Sequence, residues 1–146
     1  VKKTVPDAKL LIATAQEWYL TGAHRIYTPN FEALNPILAQ DSVLAMPRVS
    51  WSGYPIKLLN AMAAGRPVVA CASAAYPITH DHDGLVVPDN DVDAFASSIL
   101  KLMADPDKRE SLGRHAYETI QKNHAPHIVG EQLERVALDV LNKAGR

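Results

Sequence analysis

A single cysteine, Cys71, excludes an internal disulfide framework and suits a reducing compartment. It sits in the apolar run PVVACA, which predicts a buried, inert thiol rather than a nucleophile. Charge of either sign is not in excess: 15 Lys and Arg stand against 16 Asp and Glu, a formal net charge of -1. Such a balance gives no general attraction to nucleic acid or to an anionic membrane, so neither is expected as a partner. No apolar run approaches the roughly 18 residues of a membrane span, and the N-terminus lacks a signal peptide's apolar core. Ser50 and Ser73 lack a Gly-x-Ser-x-Gly context, which leaves a hydrolase triad without support. There is no repeat, linker or low-complexity tract. The expectation is one soluble, cytoplasmic domain spanning residues 1–146, with 47% hydrophobic residues to build its core.

The first half alternates short β-like runs with connections. AKLLIATA (8–15) is nearly continuous in apolar residues, the form of a strand covered on both faces. HRIYT (24–28), SVLAMP (42–47), PVVAC (67–71) and GLVVP (84–88) are further strands, and residues 31–39 read as helical despite Pro36. Strands alternating with helices predict an α/β fold, a Rossmann-like parallel sheet flanked by helices. The second half is helical. Asp91 can cap a helix with an apolar face of Val92, Phe95, Ile99, Leu102 and Met103. Asp105 and Pro106 can start a second helix. A third opens near Pro126 with Val129, Leu133, Val136, Ala137, Val140 and Leu141 on one side, a stripe expected to pack on its own domain rather than form a dimer seam.

The stretch WSGYPIKLLNAMAAGRPVVA (51–70) contains no carboxylate. Pro55 can take the first helical position, with Ile56, Leu59, Met62 and Ala63 facing the core and Lys57, Asn60 and Ala64 opposite. Gly65 ends the helix and Pro67 prevents its continuation. The start of such a helix presents unpaired N–H groups to an anion, and Gly53 lets backbone approach it closely. Lys57 in the first turn opposes the helix dipole by about 0.3–1 kcal/mol unless a negative group lies nearby. A bound phosphate or a neighbouring carboxylate would supply it; a solvated helix face is the bland alternative. Trp51 and Tyr54 can stack on a base or sugar, or pack under the loop. Arg66, just past the helix, reads as solvated, with pairing to a phosphate as the alternative. THDHDG (79–84) groups two His and two Asp, but no third or fourth ligand stands out, and a polar turn accounts for it better than a metal. His115, His124 and His127 read as surface or capping groups.

The stretch SGYPIKLLNAMAAGRPVVA resembles the donor-binding signature of family 4-type (group 1) retaining glycosyltransferases of the GT-B fold. VPDAKLLIA, DSVLAMP and the segment from HDHDGLVVP to LGRHAYE resemble further family motifs, so the likeness runs from about Pro6 to Leu141. It implies the C-terminal half of a GT-B fold with a helical C-terminal segment, binding a nucleotide-diphosphate sugar as substrate with no metal or other cofactor. By resemblance, Ser52, Gly53, Tyr54 and Lys57 lie at the donor sugar and diphosphate and Asn60 at the ribose. No catalytic residue is assigned. Ser52 and Asn60 replace the family's two signature glutamates, and Asn60 can accept ribose hydroxyls only through its amide oxygen. Ala74 and Ala75 stand where a Gly pair is common.

The family's diphosphate-binding Arg and Lys belong to the first strands, upstream of the Pro-Asp-Ala strand, and only five residues stand before Pro6 here. The chain is therefore expected to lack the domain's first strands and the N-terminal acceptor domain, and to be inactive alone. It would need that domain or a partner chain. The alternative is a non-catalytic GT-B-derived assembly module, forming homo-oligomers through exposed apolar surface. A GT-B sugar-nucleotide epimerase fits the motifs less well.

Overall fold

The computed structural model describes residues 1–17, 19–50 and 53–144. The described residues form five short strands, paired in parallel, and five α-helices. β1 (Leu10–Thr14) pairs with β2 (Ala23–Tyr27), Leu10 opposite Ala23. A 3₁₀ turn (Glu32–Leu34) leads into the single turn of α1 (Asn35–Leu38), where Pro36 sits in the first turn, the one part of a helix that tolerates it. β3 (Leu44–Met46), β4 (Val68–Cys71) and β5 (Leu85–Val87) form a second parallel sheet in that order. α2 (Ile56–Ala63) crosses from β3 to β4, and α3 (Val92–Ala104), α4 (Pro106–Asn123) and α5 (Pro126–Ala144) follow.

The core is built on β4, all of whose residues are buried. Strand alternation sends Val68 and Ala70 to a cluster with Leu58, Ala61, Met62, Ala116 and Ile120. Val69 and Cys71 point the other way, to Leu85, Val87, Leu102 and Leu112. Helices thus cover both faces of β4, which is why its sequence is an unbroken apolar run. The expected cover does not extend to β1: none of its residues is buried, and Leu10 is 44% exposed. β1 and β3 each hydrogen-bond to one neighbouring strand.

Three expected helix faces are corrected. In α2 the buried residues are Leu58, Ala61 and Met62, while Ile56 is 64% exposed and Ala63 is exposed. The face that packs on β4 and α4 is set by the 58/61/62/65 spacing, and Ile56 in the first turn lies beyond its reach. In α3, Leu102 is buried and Phe95 and Ile99 pack against the core, but Val92 at the start is exposed. α5 departs further. It buries no residue, and Leu133, Val136, Val140 and Leu141 stand 60–70% exposed, so its apolar stripe does not pack on this domain.

Local chemistry fixes the helix ends. The Asp91 and Asp105 carboxylates accept the N–H groups of Ala94 and Lys108 at 2.8 and 2.9 Å, as the sequence predicts. α2 closes with Gly65 at φ +66, its N–H bonded to the Met62 carbonyl and that of Arg66 to Ala61. These paired bonds are a Schellman ending, which needs a left-handed residue. Gly65 then meets Gly113 of α4 backbone to backbone: a Cβ at 113 would lie 2.1 Å from the Gly65 carbonyl oxygen.

Candidate functional site

The candidate site forms where β3 and β4 end. After Met46 the chain passes Arg48 and reaches Gly53, whose φ of +75 is a left-handed conformation natural to glycine. Tyr54 and Pro55 lead into α2. Pro55 is the cap rather than the first helical residue, because its ψ of 62 lies outside the helical range. The carbonyl of Tyr54 accepts the Ile56 N–H at 2.9 Å, and that of Pro55 accepts the Leu59 N–H at 3.1 Å. Among the described residues no side chain caps this end, and its first turn holds no acidic residue. The N–H groups of Lys57 and Leu58 donate to no described residue. Lys57 forms no ion pair with one either; the pairs recorded are Lys108–Asp81 and Arg109–Asp41.

A cavity of about 290 Å³ opens here, lined by Met46, Arg48, Gly53, Tyr54, Lys57 and Ala74 among others. It lies at the carboxyl ends of parallel strands, where open α/β sheets bind ligands. Three predicted residues, Gly53, Tyr54 and Lys57, meet in it. Asn60 is half-buried one turn along α2 and does not line it. Ser52 and Trp51 lie outside the described residues. Sequence reading missed Arg48, whose signal was a cation two residues beyond a parallel strand.

A larger cavity, about 840 Å³, lies between the α4–α5 elbow and the turn after β4. Its walls include His82, His115, Glu118, Lys122 and His124, and Tyr54 lines it as well. The Tyr54 ring reaches across to the elbow, where its hydroxyl meets His124 Nδ1 at 2.8 Å. The Tyr76 ring packs edge-on against His124, centroids 6.1 Å apart. His124 caps α4, as its position suggested, but its bond to the loop was not foreseen.

The groups of THDHDG hold a turn together. Asp83 is buried at 1% exposure and accepts the Thr79 N–H at 2.7 Å and the Thr119 hydroxyl at 2.8 Å. His80 Nδ1 accepts the Val86 N–H at 2.9 Å, and the His82 ring stacks on His115 at 4.5 Å. Asp81 pairs with Lys108 at 2.8 Å, and the ammonium holds its carboxyl below the usual range. Among the described residues no three His, Cys, Asp or Glu come together as a metal site. Arg66 is not simply solvated: it donates to the carbonyls of Ala64 and Gln40 at 3.1 and 3.0 Å, tying α2's end to the chain before β3. Ser73 donates through both its N–H and its hydroxyl to Asp89, whose carboxyl is held below its usual range by those bonds. That staple joins the ends of β4 and β5 beside the candidate site.

Comparison with known proteins agrees with this architecture. An exopolysaccharide phosphotransferase of Streptomyces coelicolor is 33% identical over 72% of this chain and 11% of its own length. A GDP-mannose-dependent monoacylated alpha-(1-6)-phosphatidylinositol monomannoside mannosyltransferase of Corynebacterium glutamicum is 28% identical over 90% of this chain and 39% of its own. The chain thus spans well under half the length of these relatives. Sucrose-phosphate synthase of Thermosynechococcus elongatus superposes with a TM-score of 0.74 over 84% of this chain and 31% of that one, at 22% identity. An Anabaena protein solved in complex with UDP gives 0.72 over 81% and 32%, at 15% identity. These likenesses establish the Rossmann-like architecture of a GT-B C-terminal domain. Among the described residues no helix is long and apolar enough to cross a membrane. Residues 1–105 match the family described as Glycosyl transferases group 1, and the chain belongs to that family.

Proposed function

We propose that residues 1–146 are the donor-binding half of a retaining glycosyltransferase that takes a nucleotide-diphosphate sugar as substrate, without a metal. The observation that carries this reading is the convergence at the start of α2: among the described residues, a helix end without a side-chain cap, two N–H groups without an acceptor and Lys57 without a carboxylate partner, with Arg48 on the same cavity. A diphosphate supplies the negative charge that the helix end and Lys57 lack among the described residues. Gly53 lets it approach the loop, Ser52 and Tyr54 meet the donor sugar, and Asn60 meets the ribose with its amide oxygen. In the transition state the leaving diphosphate gains charge, and fixed N–H groups and Lys57 stabilise it. The C. glutamicum relative named for GDP-mannose and the Anabaena protein bound to UDP support a nucleotide ligand.

The catalytic cleft would be completed by an acceptor domain, so the chain alone would not turn over. The single-neighbour strands β1 and β3 fit a further parallel strand between them, which would give the doubly wound order. A second reading, an assembly module without chemistry, draws on the exposed stripe of α5 and on the loss of both signature carboxylates.

Calorimetric titration of this chain with UDP, GDP and ADP separates the two. Saturable binding of one nucleotide is expected, and at a hundredfold excess over Kd it stabilises the fold by about 2.7 kcal/mol, a rise in Tm of roughly 5–10 °C. No binding by any of them, with self-association in sedimentation, refutes the donor reading in favour of the module.

A further inference from the structure

Among the described residues, little holds Gly53 and Tyr54 in place. Gly53 and Tyr54 are exposed, and a Cβ at 53 would touch nothing within 4 Å. Among the described residues, one hydrogen bond joins residues 53–55 to an element other than α2, and it is the bond from the Tyr54 hydroxyl to His124, 70 positions away. His124 is itself well placed to act as an anchor. Its N–H bonds to the Ile120 carbonyl at 2.9 Å, closing α4, and Tyr76 packs on its ring. Ile120 lies in the buried cluster, so the anchor is continuous with the core. The hydroxyl makes this bond, and a phenylalanine at 54 would have none to offer.

We propose that His124 is a positioning residue for the glycine loop: its ring nitrogen holds the Tyr54 hydroxyl and so fixes the loop and the first turn of α2 in the geometry that receives a diphosphate. The loop's link to the ligand rests on the donor-binding reading above; the tether itself does not. With the ring proton on Nε2, Nδ1 accepts the hydroxyl proton, and loss of either partner frees the loop. His124 reaches the ligand only through Tyr54, so its effect is on the order of the loop and not on bond making.

Amide exchange and nucleotide titration of this chain test the idea together. Tyr54→Phe and His124→Leu are each expected to speed exchange at Ile56 and Leu59 by about three- to tenfold, while Val69 in the buried strand is unchanged. The double variant exchanges no faster than either single one, because the two side chains share one bond. His124→Asn, which keeps a polar atom near the Nδ1 position, restores slow exchange. Nucleotide Kd rises in the same two variants by about the same factor and recovers in His124→Asn.

Wild-type exchange rates in Tyr54→Phe, multiplied effects in the double variant, or equal acceleration at Val69 would each overturn the tether. Faster loop exchange with an unchanged Kd overturns the positioning role. A wild-type chain that binds no nucleotide removes the donor reading, and the exchange rates still decide whether the tether exists.

Discussion

Substituting Gly113 by alanine is expected to destabilise the fold, although alanine is the better helix former. Gly113 sits buried in the middle of α4, and its Cβ would lie 2.1 Å from the Gly65 carbonyl oxygen and 3.0 Å from the carbonyl carbon. Ordinary contact begins near 3.4 Å, so the two backbones must separate by roughly 1.3 Å. Neither side can yield by rotating a side chain. Gly65 is held by the Schellman bonds and Gly113 by the helix, while Leu112 and Ala116 fix α4 against both sides of the core. Overpacking of this kind costs about 1–3 kcal/mol, here toward the upper end, and the helix propensity gain returns at most about 1. The net loss of about 2 kcal/mol lowers Tm by about 4–8 °C at this chain length. Gly130 in α5 is the control, since a Cβ there meets nothing within 4 Å. The same substitution there should not destabilise, and it raises stability by at most about 1 kcal/mol. Parallel thermal melts read both, and a Gly113→Ala protein melting at or above the wild type would refute the close-approach argument.

Four further outcomes can be checked. Arg109→Ala should cost about 1–2 kcal/mol in denaturant titration, because Arg109 bonds the Leu102 and Met103 carbonyls at 2.8 and 3.1 Å at the end of α3; a change under about 0.3 kcal/mol contradicts this. Asp41, Asp81 and Asp89 all have carboxyl pKa values below the ordinary 3.8, through hydrogen bonds from Arg109, Lys108 and Ser73 respectively. Depressed values stabilise the fold above the unfolded pKa, so Tm should fall as pH drops below about 4, and a flat acid limb refutes it. Burial at 5% exposure raises the Cys71 thiol pKa, so a thiol reagent at pH 8 should react slowly until the chain unfolds; immediate modification in the native state would show the site to be open. Asn60→Glu should tighten nucleotide binding about two- to tenfold by restoring a charged acceptor for the ribose, and Asn60→Ala should weaken it; unchanged affinity in both removes Asn60 from the site.

The strands and most helix boundaries were legible because they depend on local chemistry. Asp91 and Asp105 mark helix starts by bonds to their own next few residues, Pro106 by its fixed φ at the first helical position, and the unbroken PVVAC run marks a strand covered on both sides. Which residues of α2 face inward was not legible. The helix is 8 residues long, and apolar residues occupy both candidate stripes, so the position of α4 decides between them. The start of the site, Gly53 with Lys57, followed from the dipole argument; Arg48 lay outside the motif and was missed. The Tyr54–His124 bond joins residues 70 apart, and no periodicity or spacing relates them. Sequence patterns report neighbours along the chain, whereas this bond depends on where the α4–α5 elbow arrives in space.

The bare surface of α5 sets its thermodynamics apart from the rest of the chain. A helix of 19 residues with nothing buried draws its order from its own hydrogen bonds and from side-chain pairs on its surface, without the packed apolar face that supplies most helical stability in proteins. In free-energy terms α5 then opens far more cheaply than the sheet, fraying toward its C-terminus while β4 and its two clusters stay closed. Any surface that covers the stripe Leu133, Val136, Val140 and Leu141 must supply the entropy of ordering the helix as well as the contact. The same surface raises the helix to the stability of the core.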